Sequence, residues 1–470
     1  MFNFDNTILT LGDDFYSEEK VVPTKDPKLK IFNEPLAEEL NITDKNPDIY
    51  VGNTILEGAA MVALPYAGHQ FGQFTMLGDG RAVLLGEHVV GERRVDVQLK
   101  GSGRTAFSKV GDGKLPLDAA LREFLISEAM HHLGIPTTRS LAVVETPAKI
   151  IREEIKPAGI LTRIASSHIR VGTFEYAVRS GDGNLEKLAD YTIARHYPHI
   201  DSENDERYFK FIEAVVDKQA RLMARWQAIG FIHGVMNTDN VSITGETIDY
   251  GPCAFMDTYH PETVYSSIDM NGRYQFGNQP SIMQWNLTRF AETFIELITE
   301  TTGIDEADVL ERLESILEKY AHLYNDYWFS EMGRKIGLSE LIESDGALIT
   351  DLLGEMIEAE MDYTTTFNAF TDGNVESLEG LSEDWTARYK ERVSHVENAI
   401  EEMKSANPYV IPRNHIVEEA LFNATKHGDY ALYNELLEAV RNPYHTGHDA
   451  YIMMRPERHV EMGHMTYCGT

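Results

Sequence analysis

Two side chains near the middle of the chain have the types and spacing to hold a divalent cation against phosphate. The segment His233-Gly234-Val235-Met236-Asn237-Thr238-Asp239-Asn240 is followed by two short β-like runs, Val241–Ile243 and Thr247–Asp249, and then by Tyr250-Gly251. Thr244-Gly245-Glu246 between the runs predicts a hairpin. Folded that way, Asn240 precedes the first strand and Asp249 ends the second, so their side chains meet. An amide oxygen and a carboxylate, with phosphate oxygens completing the shell, are a usual way to hold Mg²⁺ or Mn²⁺. The plain alternative is an ordinary hairpin whose Asn and Asp serve its turns.

Lys100 is a second candidate. It ends the run Val95-Asp96-Val97-Gln98-Leu99-Lys100, which alternates apolar and polar residues at the strand period. The helix that follows is predicted to enter through Pro116, with Asp118 in its first turn, and to close near Gly134. It carries Glu123. Protein kinases steady a strand lysine with a helix glutamate so that the lysine can neutralise phosphate. Otherwise Lys100 is a solvated residue beside Asp96 and Gln98 on a polar strand face. Helical phase alone leaves Glu128 open as the partner, because the helix is apolar nearly all round.

Three glycine-rich runs add to this: Leu77-Gly78-Asp79-Gly80-Arg81, Lys100-Gly101-Ser102-Gly103-Arg104 and Val110-Gly111-Asp112-Gly113-Lys114. Glycine lets backbone N–H groups approach phosphate, although any one such run is also an ordinary turn. Together they gather Arg81, Lys100, Arg104, Lys109 and Lys114 into a cationic patch suited to a triphosphate. Arg163 and Arg170, in Leu-Thr-Arg-Ile-Ala-Ser-Ser-His-Ile-Arg-Val-Gly, would add bidentate contacts or else form ion pairs.

The kinase pattern breaks at one position. The His233-to-Asn240 spacing matches His-Arg-Asp-x-x-x-x-Asn, but the place of the catalytic aspartate is taken by Val235. The nearest replacement carboxylate is Asp239, which would accept a proton from an attacking hydroxyl or cap the turn. This points away from simple protein phosphorylation.

The elements that must position these groups read as a small β-rich part followed by helices. Residues 1–50 look irregular and punctuated by proline. Residues 51–150 are glycine-rich with short strands. Phe209, Ile212, Val216, Ala220, Met223 and Trp226 fall at helical spacing, and beyond about residue 285 the pattern is helical. The expected fold class is α+β, a protein-kinase-like bilobal fold. Its parts would be a wrapping segment (1–50), an N-lobe (51–150), a mainly helical C-lobe with catalytic loop and metal site (151–285) and a helical C-terminal extension (286–470).

Composition narrows the partners. The 470 residues include 75 acidic and 42 basic side chains, a net charge of −33. That argues against general nucleic-acid binding and against docking on an anionic membrane. No apolar run is long enough to span a bilayer, the N-terminus lacks a secretory pattern, and two cysteines permit no disulfide framework. A cytoplasmic protein is expected.

Several blocks resemble the selenoprotein O family of protein adenylyltransferases: YAGHQFGQFTMLGDGRAVLLGE, QLKGSGRTAFSKVGDGKLPLDAALREFLISEAMHHLGIPTTRSLAVV, HGVMNTDNVSITGETIDYGP, GRYQFGNQPSIMQWNLTRFAE and NPYVIPRNH. The resemblance spans roughly residues 50–420. It implies a kinase-like fold that binds ATP in reversed orientation and transfers AMP to protein Ser, Thr or Tyr hydroxyls, releasing pyrophosphate. It assigns Asp239 as proton acceptor and Asn240 and Asp249 as ligands of Mg²⁺ or Mn²⁺. Nucleotide contacts fall to Gly78, Gly80, Arg81, Lys100, Asp112, Gly113, Arg163, Arg170 and Asp249, with Glu123 paired to Lys100. A phosphotransferase and a silent nucleotide-binding scaffold stay open as alternatives. Many relatives carry a C-terminal cysteine or selenocysteine, some pairing it with a cysteine after the D-Y-G turn. Cys468 takes the C-terminal place here, but Tyr265 stands at the expected partner position, and Cys253 reads as a small core residue.

Overall fold

Alternation at 95–100 puts Val95, Val97 and Leu99 on one face of a strand and Asp96, Gln98 and Lys100 on the other. In the computed structural model, which describes residues 1–151 and 154–467, all six side chains are buried. The apolar three share a core with Leu36, Leu40, Tyr50, Leu141 and Ile160. The polar three therefore face into the protein, not solvent, and buried polar groups demand partners.

The strands are β1 (Ser17–Glu18), β2 (Lys28–Phe32), β3 (Val62–Ala63), β4 (Ala67–Gln70), β5 (Gln73–Met76), β6 (Ala82–Val90), β7 (Arg93–Lys100), β8 (Leu115–Pro116), β9 (Arg139–Ile151), β10 (Ile155–Ala165) and the small separate pair β11 (Phe231–Ile232) and β12 (Ala254–Phe255). The main sheet is antiparallel in the order β1-β3-β6-β7-β10-β9-β2, with β8 beside β10. The β4–β5 hairpin stands apart from it. In register, Gln98 faces Arg163 and Lys100 faces Leu161. Residues directly opposite one another share a face, so Gln98, Lys100 and Arg163 project the same way.

Two boundaries differ from expectation. Residues 1–50 are not merely irregular: β1 and β2 lie at the two ends of the sheet's strand order, and Leu36, Leu40, Ile49 and Tyr50 enter its core. The β-rich part also does not stop at residue 150, since β10 lies between β7 and β9. An inner strand must hydrogen-bond along both edges, and β10 supplies one edge for β7.

The helix Leu117–His132 begins at Pro116, whose missing N–H costs nothing at a helix start, and ends before Gly134 at φ 77°. It is apolar nearly all round because it is covered on two sides. Leu121, Phe124 and Leu125 share one core with Val143 and Leu161 of the sheet and with Val417, Leu436 and Val440 of the C-terminal helices. The helix Arg207–Ala228 buries Phe209, Ile212, Val216, Ala220, Met223 and Trp226, as its period predicts. From Gln279 onward the described chain is built of helices with short connections. The fold is thus α+β, mixed helix and sheet. None of the described helices is long and apolar enough to cross a membrane.

The hairpin predicted at 241–249 does not form. The segment instead bonds to two other parts of the chain: Val171 N donates to Val241 O at 2.9 Å, Ile243 N to Ile169 O at 3.0 Å, and Thr138 N to Thr247 O at 3.0 Å. Runs this short gain more from partners already fixed in the core than from each other. Cys253 is a buried free thiol, pushed up to about 11 by burial and so unreactive. Cys468 lies outside the described residues.

Candidate active site

Three basic side chains converge on one carboxylate. Asp249 accepts from Lys100 Nζ at 2.7 Å and Arg163 Nη2 at 2.6 Å through Oδ1, and from Arg170 Nη1 at 2.7 Å through Oδ2. Behind them, Glu123 takes Lys100 Nζ at 2.7 Å and Arg163 Nη2 at 2.8 Å. Glu128 is engaged elsewhere, by Arg139 at 2.7 Å and Arg441 at 3.3 Å. Burial raises the Asp249 carboxyl, but Arg163, Lys100 and Arg170 outweigh it and hold the group well below its ordinary value. It stays ionised throughout the neutral range.

The backbone that carries Asp249 is held from below. The imidazole Nε2 of His233 is 2.8 Å from the carbonyl of Ile248, to which it donates, and the ring stacks on Trp226 at 5.4 Å. Asp249 itself sits at φ 63°, which non-glycine residues adopt only when their surroundings impose it. Asn240 closes a tight turn, Thr238–Asn240, and its amide nitrogen donates to Val235 O at 2.9 Å. The amide oxygen is thereby left for another partner.

Asp239 faces the same space. Its carbonyl accepts from Arg170 Nη1 at 2.7 Å, the atom that also holds Asp249. Its carboxyl accepts from Gln70 Nε2 at 2.7 Å. Burial pushes this carboxyl up to about 7; Arg170 opposes the shift, and Asp249 and Glu175 add to it. A base poised near neutrality suits proton abstraction. Space here is tight: a Cβ on Gly68 of β4 would collide with the Asp239 carboxyl, and one on Gly172 would come within 3.2 Å of the Asp239 Cα. A second network braces the turn. Thr238 Oγ1 donates to Glu175 Oε2 at 2.6 Å and accepts from His69 N at 2.8 Å, while His69 Nδ1 lies 2.5 Å from Glu175 Oε1.

These groups border a cavity of 690 Å³, lined also by Gly78, Gly80, Arg81, Asp112, Gly113 and Lys114. The glycine loops pack on one another. Gly113 sits at φ 70°, and a Cβ there would collide with the backbone of Gly103. Of the sequence-derived site residues, all line the cavity except Glu123, which supports Lys100 from behind. Two of the predicted cationic patch do not: Arg104 is exposed and donates to Lys109 O at 2.7 Å, and Lys109 donates to Met76 O at 2.8 Å.

The donor set fits a divalent ion that shares its shell with phosphate. Asn240 presents an amide oxygen and Asp249 an ionised carboxylate. Among the described residues no group of three or more His, Cys, Asp or Glu is placed to hold an ion unaided. Phosphate oxygens would supply the remaining ligands. Residues that composition and spacing did not single out are Gln70, Gly68, Tyr66, Glu175 and Thr238. Tyr66 lies under Arg170 at 4.7 Å. Gln70 and Gly68 fall inside the block YAGHQFGQFTM, whose residue types suggest no chemistry by themselves.

Comparison with known proteins accords with this geometry. The family described as "Protein adenylyltransferase SelO" matches residues 1–441. The chain is 50% identical to the "Protein nucleotidyltransferase YdiU" of Clostridium perfringens, covering 100% of this chain and 98% of the relative. It is 47% identical to the protein of that name from Shouchella clausii, covering 100% and 99%. It is 49% identical to the one from Brevibacillus brevis, covering 100% and 98%. With a cationic, carboxylate-bearing cleft and relatives matched end to end, the chain belongs to the SelO/YdiU family and is an enzyme of the nucleotidyltransferase class.

Proposed function

We propose that this enzyme transfers AMP from ATP to the hydroxyl of a protein Ser, Thr or Tyr, and that its sheet and helices form the two lobes of a kinase-like cleft. The observation that carries the reading is Asp239, a buried carboxyl raised to about 7 whose backbone carbonyl shares Arg170 with Asp249, the carboxylate on which Lys100 and Arg163 also converge. The acceptor hydroxyl gives its proton to Asp239 as its oxygen attacks the α-phosphorus. The bond from that phosphorus to the α,β-bridging oxygen breaks, and pyrophosphate leaves. Lys100, Arg163 and Arg170 neutralise the triphosphate, and Arg81 with the glycine loops cradles it. Asn240 and Asp249 hold Mg²⁺ or Mn²⁺, which when bound supplies charge neutralisation at the phosphates. The absence of a carboxylate at Val235 weighs against γ-phosphoryl transfer on the kinase plan.

The test is intact-mass measurement of acceptor proteins after incubation with the enzyme and ATP, alongside ATP labelled separately at the α- and γ-phosphates. An AMP increment and α-label retention are expected. A phosphate increment with γ-label would replace this reading with phosphotransfer, and nucleotide binding with no transfer under either ion would leave a silent scaffold.

A further inference from the structure

The β4–β5 hairpin borders the cavity beside Asp239, and its Gln70 holds that carboxyl. The outer side of this hairpin differs from the rest of an acidic chain. Phe71, Phe74 and Met76 are 36%, 38% and 43% exposed. Two guanidinium groups flank them: Arg179 lies 4.4 Å over the Phe74 ring, and Arg273 lies 4.9 Å over Trp285 and beside Gly72. Among the described residues neither arginine has an ion pair, although the chain carries 75 acidic side chains to 42 basic ones. Glu175 is committed to His69 and Thr238, and Glu292 to Arg289.

The ledge is also firm. Phe71 N donates to Asn237 Oδ1 at 3.0 Å, and the Phe71 ring packs on Tyr274 at 5.1 Å. Exposed aromatics held rigid beside arginines that among the described residues have no ion pair, Arg179 donating to the Glu175 carbonyl at 2.7 Å, are the composition that anchors protein partners, because they bury large area at little cost in side-chain entropy. The charge selects the partner: an acidic segment is attracted here, while a basic one meets two like charges.

We propose that this ledge docks the acceptor polypeptide and favours an acidic segment with a large apolar residue near the reactive hydroxyl. Its catalytic meaning rests on the AMP-transfer reading; the binding itself does not.

The test uses the full chain with Mg²⁺ and a non-hydrolysable ATP analogue. Fluorescence anisotropy compares two labelled peptides that share a central Ser and a Phe, one flanked by Glu and the other by Lys. At ~50 mM salt the acidic peptide should bind at least ~10-fold more tightly, with the preference fading as salt rises. The doubly substituted R179E/R273E protein should lose or reverse the preference while keeping its affinity for the nucleotide analogue, and R179K/R273K should largely retain it. Equal affinities, no measurable binding of either peptide, or indifference to charge reversal would overturn the proposal. So would a self-associated protein that the reversal merely dissociates. A phosphate increment in the mass experiment would remove AMP transfer and leave this preference standing. Equal peptide binding alongside AMP transfer would remove the docking ledge alone.

Discussion

Gln70 and Asp239 lie 169 residues apart in sequence, yet the Gln70 amide nitrogen is 2.7 Å from Asp239 Oδ1. The contact joins the β4–β5 hairpin to the turn that carries the proposed base, and it makes glutamine the side chain that holds Oδ1 of that carboxyl. A hydrogen bond to the ionised carboxylate favours that form and offsets part of the cost of burial. Gln70→Ala should therefore move the rising limb of the pH–rate profile to higher pH and lower turnover at pH 7 by ~10-fold or more, with ATP affinity little changed. An unmoved limb would show that the amide does not act on Asp239. Gly68→Ala should be worse, since its methyl group would enter the space of the carboxyl.

The Asp239 carboxyl, raised from 3.8 to about 7, has two consequences of opposite sign. Turnover should rise with pH through about 7, because only the ionised form accepts a proton. Stability of the ligand-free protein should move the other way. A group whose folded value is raised binds its proton longer in the folded state, so its contribution is complete below about 4 and is lost as pH rises through about 7. Asp239→Asn should abolish turnover, keep ATP binding and raise the thermal midpoint above pH 7 relative to the parent. Calorimetry at pH 5 and pH 8 reads this directly, with the gain confined to the higher pH. Loss of ATP binding would contradict the assigned role.

Asp249 answers for three cations at once, so its replacement should expose the division between holding a metal and holding the site together. Asp249→Asn should eliminate metal-dependent turnover. It should also cost ~3 kcal/mol of stability, because Lys100 and Arg163 are then left with Glu123 as their carboxylate partner and Arg170 loses its ion pair to Asp249. ATP brings negative charge to the same place. The increase in thermal midpoint on adding ATP without metal should accordingly be larger in the variant than in the parent. An equal or smaller increase would mean that the nucleotide phosphates do not meet these cations.

Much of this site was legible where chemistry and local pattern coincide. Lys100 ends a strand whose alternation is plain; Asn240 and Asp249 do border one cavity, but the hairpin from which their pairing was inferred is not what brings them there. The helix Leu117–His132 was bounded correctly because Pro116 and Gly134 act locally. The choice between Glu123 and Glu128 was not legible from phase, because the helix is covered by both the sheet and the C-terminal helices. The supposed hairpin at 241–249 failed for a similar reason: its short runs have suitable turn chemistry, but Ile169, Val171 and Thr138 compete for the same backbone groups and win. Gln70, Glu175 and Thr238 could not be found locally at all, since their roles exist only once β4 lies across the 238–240 turn.

Arg413, in the NPYVIPRNH block, offers a test of how the C-terminal helices secure the segment beyond the D-Y-G turn. It is buried and binds both Asp257 and Asp362, the latter at 2.8 Å. Asp257 is already raised to about 6 by burial, with Asp362 adding to the shift and Arg413 resisting it. Arg413→Met keeps the volume but leaves two buried carboxyls facing each other, with the half-exposed Arg455 at 4.0 Å from Asp362 as the cation that remains. The cost should be ~3–5 kcal/mol at neutral pH, as for other broken buried pairs. Its pH dependence carries the sign of the mechanism. With the arginine gone the Asp257 carboxyl rises further, the folded state retains a proton the unfolded chain has released, and stability declines as pH increases past about 6. The variant should therefore come nearest the parent in thermal midpoint at acid pH and fall away from it toward pH 8. A deficit independent of pH would mean that Arg413 contributes packing alone, and that the two carboxyls find partners without it.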